Sequence, residues 1–409
     1  MTLRAALVVL GCLLCQMGAG FFYATRALSG EVIEDLGWSR TLWASGTAPM
    51  LVVSSVGQAF VGAACARFGV RPVIVASLLC LGVSVVAFAT MGTIVQFYGA
   101  MMILALANAG LGDVSIGSVV TRWFARRRSL ALGFAMAGSN VGTIAFLAAI
   151  GLAIEQAGWR DTALAVGLGG LAVILPVAFA LVRDPRPGEG EAEEEGVDPG
   201  EASSGADGAA RSGAELGYGE ILRRREFWVL FYALFCYALV QLGLFDQFVL
   251  YLTDLGYTKQ EAYGALSLAA GAGIAAKLGA GVVGQLVRPR FAFLANTGLL
   301  ATSLMLVPFA ASPVILTLFS IAFGFSTASR DVFLPLSVAD AFGTQSFARV
   351  YGLMMLAFVP GGALGPVVLA EAHRRFGDYR PGFLACIALV LLASAALGGL
   401  ARSGRVRAL

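Results

Sequence analysis

Roughly twelve apolar stretches, each long enough at about 20 residues to cross a bilayer, fall into two sets of six around one acidic segment rich in Gly, Ala and Ser. No water-soluble core could absorb such a chain. Only 13% of the residues are charged while 58% are hydrophobic, against about 25% charged in a typical soluble domain. In hydrocarbon each backbone N–H and C=O must be satisfied within its own helix or within a closed barrel. The length of the stretches selects helices, expected at about 5–29, 41–65, 73–92, 94–120, 128–151, 161–182, 227–253, 260–286, 291–311, 313–339, 347–370 and 381–401.

The fold class expected is therefore an all-α polytopic membrane protein with twelve transmembrane helices in two six-helix bundles. Residues 1–182 would form the first bundle, 183–226 a flexible acidic cytoplasmic linker and 227–409 the second bundle. Glu191, Glu193, Glu194, Glu195, Asp198, Glu201 and Asp207 crowd the linker, and like charges at low hydrophobicity do not collapse into a core. Orientation follows from the loops. One face carries Arg4, Arg67, Arg71, Arg122, Arg126, Arg127, Arg128, Arg223, Arg224, Arg225, Arg288, Arg290, Arg349 and Arg402 among others, whereas the opposite face has only Arg40, Arg160, Lys259, Arg374, Arg375 and Arg380. Cytoplasmic loops keep Lys and Arg, so the first face is read as cytoplasmic, with both termini inside and an even number of spans. Apolar character runs from Arg4 through Phe22 without a small-residue cleavage site, which argues for a retained first span over a signal peptide.

An internal repeat is legible at the fifth and eleventh spans. Gly133 and Gly142 are spaced as Gly352 and Gly361 are, each pair follows an arginine (Arg128, Arg349), and Gly158-Trp159-Arg160 answers Asp378-Tyr379-Arg380. Repeats of this kind build transporters with a substrate site near the bilayer midplane and access that alternates.

Charges at bilayer depth are costly and are site candidates by default. Six remain once the loops are subtracted: Arg26, Lys277 and Arg330 against Asp113, Asp246 and Asp331. Lys277 is about two and a half turns from the cytoplasmic end of its helix, too deep for easy snorkelling. Arg330 offers a planar fork suited to a carboxylate, of a substrate or of a structural ion pair with another helix, and Asp331, about 100° away on the same helix, is expected to face elsewhere. Tyr23, Asn140 and Tyr351 are added as polar candidates for the substrate site. Asp331, Asp246 and Asp113 are the candidates for carrying a proton, because a buried carboxylate that is only partly paired holds one more readily.

The stretch Arg122-Trp123-Phe124-Ala125-Arg126-Arg127-Arg128-Ser129-Leu130-Ala131-Leu132-Gly133 and onward to Gly142 resembles the fourth-to-fifth-span junction of monocarboxylate transporters and oxalate/formate antiporters in the major facilitator superfamily, and Gly37-Trp38-Ser39-Arg40 is similar to bacterial members of that group. The resemblance implies the major facilitator fold. It places the carboxylate-binding cation of the eighth span on Lys277 and a further cation on Arg26. Departures accompany it. Gly273 stands where an acidic coupling residue is common, the eleventh span lacks a second cation, and Ala66 and Gln285 replace the acids of the two gating loops, in which Arg67 and Arg71 are kept. Arg67, Arg71 and Arg122 are the expected gating residues.

The function expected is secondary active transport of a small organic anion, a monocarboxylate in the narrower reading, across a bacterial inner (plasma) membrane, with proton coupling open. Efflux or exchange of another small molecule, or a sensor with this fold and no flux, stand as alternatives. The expected partners are the anion and the lipid bilayer, with no nucleic acid and a monomeric chain. No cofactor is expected. There is no G-x-x-x-x-G-K-[ST] loop for ATP, and His373 is the sole histidine, so an H-E-x-x-H enzyme site cannot exist.

Overall fold

The computed structural model of the chain describes residues 3–185 and 216–406. Most of the acidic segment lies outside the described residues. Among them, eleven helical stretches are long and apolar enough to cross a membrane. One, Arg128–Leu181, holds 54 residues and is two helices in succession, since Gly158 interrupts it at φ 71° and ψ 171°. That is a backbone conformation glycine adopts freely and other residues do not. Taken as the fifth and sixth spans, its two parts bring the number to the twelve expected.

The remaining spans are Leu3–Ala24, Thr47–Phe68, Val70–Ala89, Ile94–Leu111 continued by Asp113–Trp123, Arg225–Asp254, Lys259–Leu286, Pro289–Leu306, Pro313–Phe342, the eleventh from Phe347 to Phe376, and Arg380–Val406. Local chemistry sets several starts. Thr93 with Gln96 and Thr258 with Glu261 form reciprocal capping boxes at the fourth and eighth spans, each satisfying backbone donors that a helix start leaves open. Pro289 and Pro313 open the ninth and tenth, where a missing N–H costs nothing.

Three spans are less regular than expected. The first ends at Ala24 and passes through a 3-10 turn, Thr25–Leu28, into a short helix, Ser29–Leu36. The fourth breaks at Gly112, whose backbone is extended. The eleventh is interrupted by the 3-10 turn Met355–Ala357, just before Pro360, whose missing N–H weakens the ladder one turn upstream.

The chain divides into two compact units. The first comprises the described residues up to Ala125, those from Phe134 to 185, and Tyr351–Leu353; the second takes Arg126–Gly133, the residues from 216 to Val350, and those from Met354 onward. In the first unit the fifth span lies against the first with backbone touching backbone: a Cβ at Gly142 would sit 2.3 Å from the Met17 carbonyl oxygen, and one at Gly138 would sit 2.2 Å from that of Leu13. In the second unit the eleventh span meets the seventh in the same way. A Cβ at Gly361 would lie 2.8 Å from the Phe235 carbonyl oxygen and one at Gly365 would lie 2.1 Å from that of Leu239. Small residues permit this close approach in membranes, where dispersion contacts replace a hydrophobic drive. The second glycine of each pair that marks the repeat, Gly142 and Gly361, is thus a packing position.

The second mark of the repeat also has a physical counterpart. Trp159 Nε1 donates to Asp35 Oδ2 at 3.0 Å and Arg160 donates to the same oxygen, tying the start of the sixth span to the helix after the first. Tyr379, at the twelfth, donates its hydroxyl to Gln247 Oε1 on the seventh at 3.4 Å. Hydrogen bonds from Arg160 and Trp159 hold the Asp35 carboxyl below the usual carboxylate range. That link is therefore complete at neutral pH and weakens only as pH falls through the lowered value.

Gly365→Val should destabilise the protein by about 1–3 kcal/mol through overpacking, read as a lower melting temperature of the purified protein in detergent. Gly298→Ala, where nothing lies within 4 Å of the added Cβ, should melt as the parent does.

Candidate functional site

Three of the four intramembrane charges expected in the second unit converge. A Cβ at Gly324 on the tenth span would lie 2.0 Å from the Ala269 carbonyl oxygen, so the eighth and tenth spans run side by side at close range. One to two turns further along both helices, the Ser329 hydroxyl donates to the Ala276 carbonyl at 3.3 Å. The next residues on each helix are the charged ones. Lys277 Nζ lies 3.0 Å from Asp331 Oδ2, and Arg330 Nη2 donates to Asp331 Oδ1. One carboxylate thus bridges two cations, and the side chains of Lys277, Arg330 and Asp331 are only 6%, 9% and 14% exposed.

The pairing of Arg330 with Asp331 differs from the expectation that adjacent positions face apart. The helical offset applies to the Cβ directions, but the arginine stem is long enough to carry its fork around to the neighbouring carboxylate. On its other side the guanidinium carbon lies 5.0 Å from the centre of the Phe358 ring, within cation–π range. Phe358 is the first helical residue after the 3-10 turn in the eleventh span.

Behind this group is a buried polar network that sequence reasoning missed. Asn296 Nδ2 on the ninth span donates to the Tyr237 hydroxyl on the seventh and to the Ser326 carbonyl on the tenth, both at 2.9 Å. Ser326 Oγ returns a bond to the Asn296 carbonyl at 3.2 Å. Ser326 is one turn before Arg330, so three helices fix the backbone from which the arginine projects. The available signal was an asparagine inside an apolar run.

The other sequence candidates are distributed elsewhere. Arg26 falls in the 3-10 turn after the first span, and its side chain lies outside the described residues. Tyr23 is half exposed and Tyr351 is buried. Asn140 Oδ1 accepts from Ser139 Oγ at 3.4 Å. Asp246 is exposed and accepts from Gln247 Nε2 at 2.7 Å. Asp113 opens the second part of the fourth span after Gly112, where the helix dipole favours an anion, and Gln16 Nε2, from the buried face of the first span, donates to it at 3.3 Å.

Of the three arginines expected to gate, Arg122 pairs with an acid not singled out from the sequence. Arg122 Nη1 bonds Asp184 Oδ1 at 2.7 Å, while Asp184 Oδ2 accepts the Val70 backbone N–H at 3.1 Å. Arg71 Nε donates to the Val182 carbonyl at 3.0 Å, and exposed Arg67 stacks 5.2 Å from the Phe68 ring centre. Asp184, after the sixth span, thus joins an arginine of the fourth span to the start of the third. In the second unit Arg290 pairs with Asp340 at 3.2 Å, and Gln285, which also replaces an acid, donates to the Arg126 carbonyl at 3.0 Å and the Ser129 hydroxyl at 3.1 Å.

Residues 7–366 match the family model described as Major Facilitator Superfamily. The chain belongs to that superfamily. It is a multi-pass membrane transporter of the secondary class, not an enzyme. Among curated relatives, monocarboxylate transporter 1 of Bos taurus is 26% identical over 405 residues, covering 91% of this chain and 78% of that protein, and monocarboxylate transporter 2 of Homo sapiens is 24% identical over 398 residues, covering 91% and 79%. Among solved structures, the human organic anion transporter MFSD10 superposes with a TM-score of 0.69 at 17% identity, covering 97% of this chain and 100% of that one. The Escherichia coli fucose:proton symporter FucP gives 0.71 at 15%, covering 96% and 99%. These two structures share the fold.

Removing a buried charge from a pair commonly costs about 3–5 kcal/mol, because the partner is left uncompensated. Asp331→Asn takes the shared carboxylate from both cations, whereas Lys277→Met leaves Asp331 with Arg330. Asp331→Asn should therefore lower the melting temperature more than Lys277→Met does, and adding Lys277→Met to Asp331→Asn should recover part of the loss.

Proposed function

We propose that this transporter moves a small organic anion, a monocarboxylate, by alternating access, and that the anion and one proton travel together. The observation that carries the reading is the buried triad of Lys277, Arg330 and Asp331. Two cations gathered on one buried carboxylate offer a substrate carboxylate the same donors that Asp331 uses, an arrangement suited to an anion rather than to the cationic substrates of an efflux pump. The curated relatives, named as monocarboxylate transporters, support the same substrate class.

In the proposed cycle the substrate carboxylate takes the Lys277 ammonium and the Arg330 fork, whose parallel N–H donors suit it. Asp331, displaced from both cations, cannot remain charged and unpaired in hydrocarbon and takes up a proton. The loaded group then carries one anion, one proton and two protein cations. Release of the anion on the other side lets Asp331 return to its partners and shed the proton. Asp246 is exposed and Asp113 is bonded to Gln16 in the first unit, so Asp331 is the acid best placed for coupling. Arg26, Tyr23, Asn140 and Tyr351 are secondary candidates for contacts to the rest of the substrate. Arg71 and Arg122, anchored on Val182 and Asp184, belong to the gate on the arginine-rich face, which we assign to the cytoplasm of a bacterial inner membrane.

Uptake of radiolabelled lactate, pyruvate and oxalate into proteoliposomes, with and without an inward proton gradient, tests the proposal. The parent protein should accumulate a monocarboxylate when the gradient is applied. Lys277→Ala and Arg330→Ala should each lower uptake by about 10–100-fold, the equivalent of a lost charge-assisted hydrogen bond. Asp331→Asn should retain anion exchange but lose gradient-driven accumulation. Absence of flux for every organic anion, or full transport by Lys277→Ala, would overturn it.

A further inference from the structure

The eleventh span changes partner part-way along. Its residues Tyr351–Leu353 group with the first unit, and those from Met354 onward with the second. Before that boundary a Cβ at Gly352 would lie 2.7 Å from the Gln58 carbonyl oxygen, and beyond it a Cβ at Gly361 would lie 2.8 Å from that of Phe235. Each segment is thus held at backbone contact, one by the second span and the other by the seventh. The 3-10 turn Met355–Ala357 falls between them. A short 3-10 stretch inside a longer helix marks a hinge or a strained sequence. The cause here is local, since Pro360 has no N–H to offer the Leu356 carbonyl one turn upstream.

Phe358 belongs both to this turn and to the charged site. Its backbone N–H donates to the Met355 and Leu356 carbonyls and so closes the turn. Its ring centre is 5.0 Å from the Arg330 guanidinium carbon. A ring that covers the face of a guanidinium leaves the in-plane N–H donors free for a carboxylate, so Arg330 holds Asp331 and Phe358 at once. Exchanging Asp331 for another carboxylate moves the fork, because Asp331 is adjacent on the same helix and an arriving anion is not. The fork then either leaves the ring or draws it along. Both changes are delivered to the residue that closes the turn.

We propose, on the reading of Lys277, Arg330 and Asp331 as the substrate site, that Phe358 couples the occupancy of that site to the 3-10 turn, and that the turn is the joint of the eleventh span. Phe358 is a positioning residue, touching the arginine and not the anion. The change of unit, the turn and the stacked ring coincide within a few residues. Removing the ring takes the same contact from the empty and the loaded site, so binding changes little. The step that follows binding is the one that slows.

The test is hydrogen–deuterium exchange of the full-length protein in detergent, read over residues 354–362. Without ligand, Phe358→Leu and Arg330→Ala should exchange there at least about fivefold faster than the parent, as local stability falls with the lost contact. Phe358→Trp, which keeps a ring, should match the parent, as should Lys277→Met and Phe376→Leu, an exposed ring at the far end of the same span. Lactate should change exchange in this segment by at least about twofold in the parent. Phe358→Leu should bind lactate with a Kd within about threefold of the parent's by calorimetry, yet show no such change. Its uptake should keep the parental KM while the maximal rate falls roughly 10-fold. Variants must elute as monodisperse, helical protein by circular dichroism. Parental exchange without ligand in Phe358→Leu, or in a folded Arg330→Ala, would overturn the proposal whether or not lactate is a substrate. So would lactate binding to the parent with no change in the segment, or a parental maximal rate in Phe358→Leu. If the parent binds no monocarboxylate, the substrate reading falls instead, and the ligand-free comparison decides the coupling.

Discussion

The carboxylate of Asp331, held between the Lys277 ammonium and the Arg330 guanidinium, is the interaction on which the second unit depends. Charges at this depth are costly unless paired, and here one carboxylate serves both cations. Its demands reach outward. The eighth and tenth spans must approach until Gly324 meets the Ala269 carbonyl, and the tenth must be fixed in rotation, which the Tyr237, Asn296 and Ser326 bonds accomplish. Phe358 then covers the guanidinium on the remaining side. A site of this kind is rigid in its backbone and switchable in its charges, because a second carboxylate competes for the same donors.

Repetition and divergence are both visible. Glycine rows pack the fifth span on the first and the eleventh on the seventh, an architecture independent of substrate. The charged residues do not repeat. In the first unit Gln16 and Asp113 meet at the broken fourth span. Each unit also ties an arginine to an aspartate, Arg122 with Asp184 and Arg290 with Asp340, although the loop acids expected there are Ala66 and Gln285. Both pairs lie near helix ends.

How much of this could be read from the sequence divides along physical lines. Apolar runs report spans because hydrocarbon leaves the backbone no alternative, and Lys277 stood out because a charge at that depth is expensive. Pairings are another matter. Adjacent positions such as Arg330 and Asp331 were expected to diverge, and a long flexible stem brought them together. Asp184 was hidden by its place at the edge of an acidic stretch, where one more carboxylate carries no signal. Asn296 and Tyr237 look like scattered polarity until three helices are brought side by side. The break at Gly112 had glycine as its only mark, among 52 glycines, whereas the turn at Gly158 was announced by the charges of Arg160 and Asp161 between two apolar stretches.

The central claim is that an arriving carboxylate displaces Asp331, which is then neutralised by a proton. Calorimetric titration of the purified protein with its monocarboxylate, in two buffers of different ionisation enthalpy at one pH, counts protons taken up per anion bound. The account predicts close to one proton for the parent protein and none for Asp331→Asn, with anion still bound in both. Binding without proton uptake in the parent, or equal uptake in the variant, would contradict it.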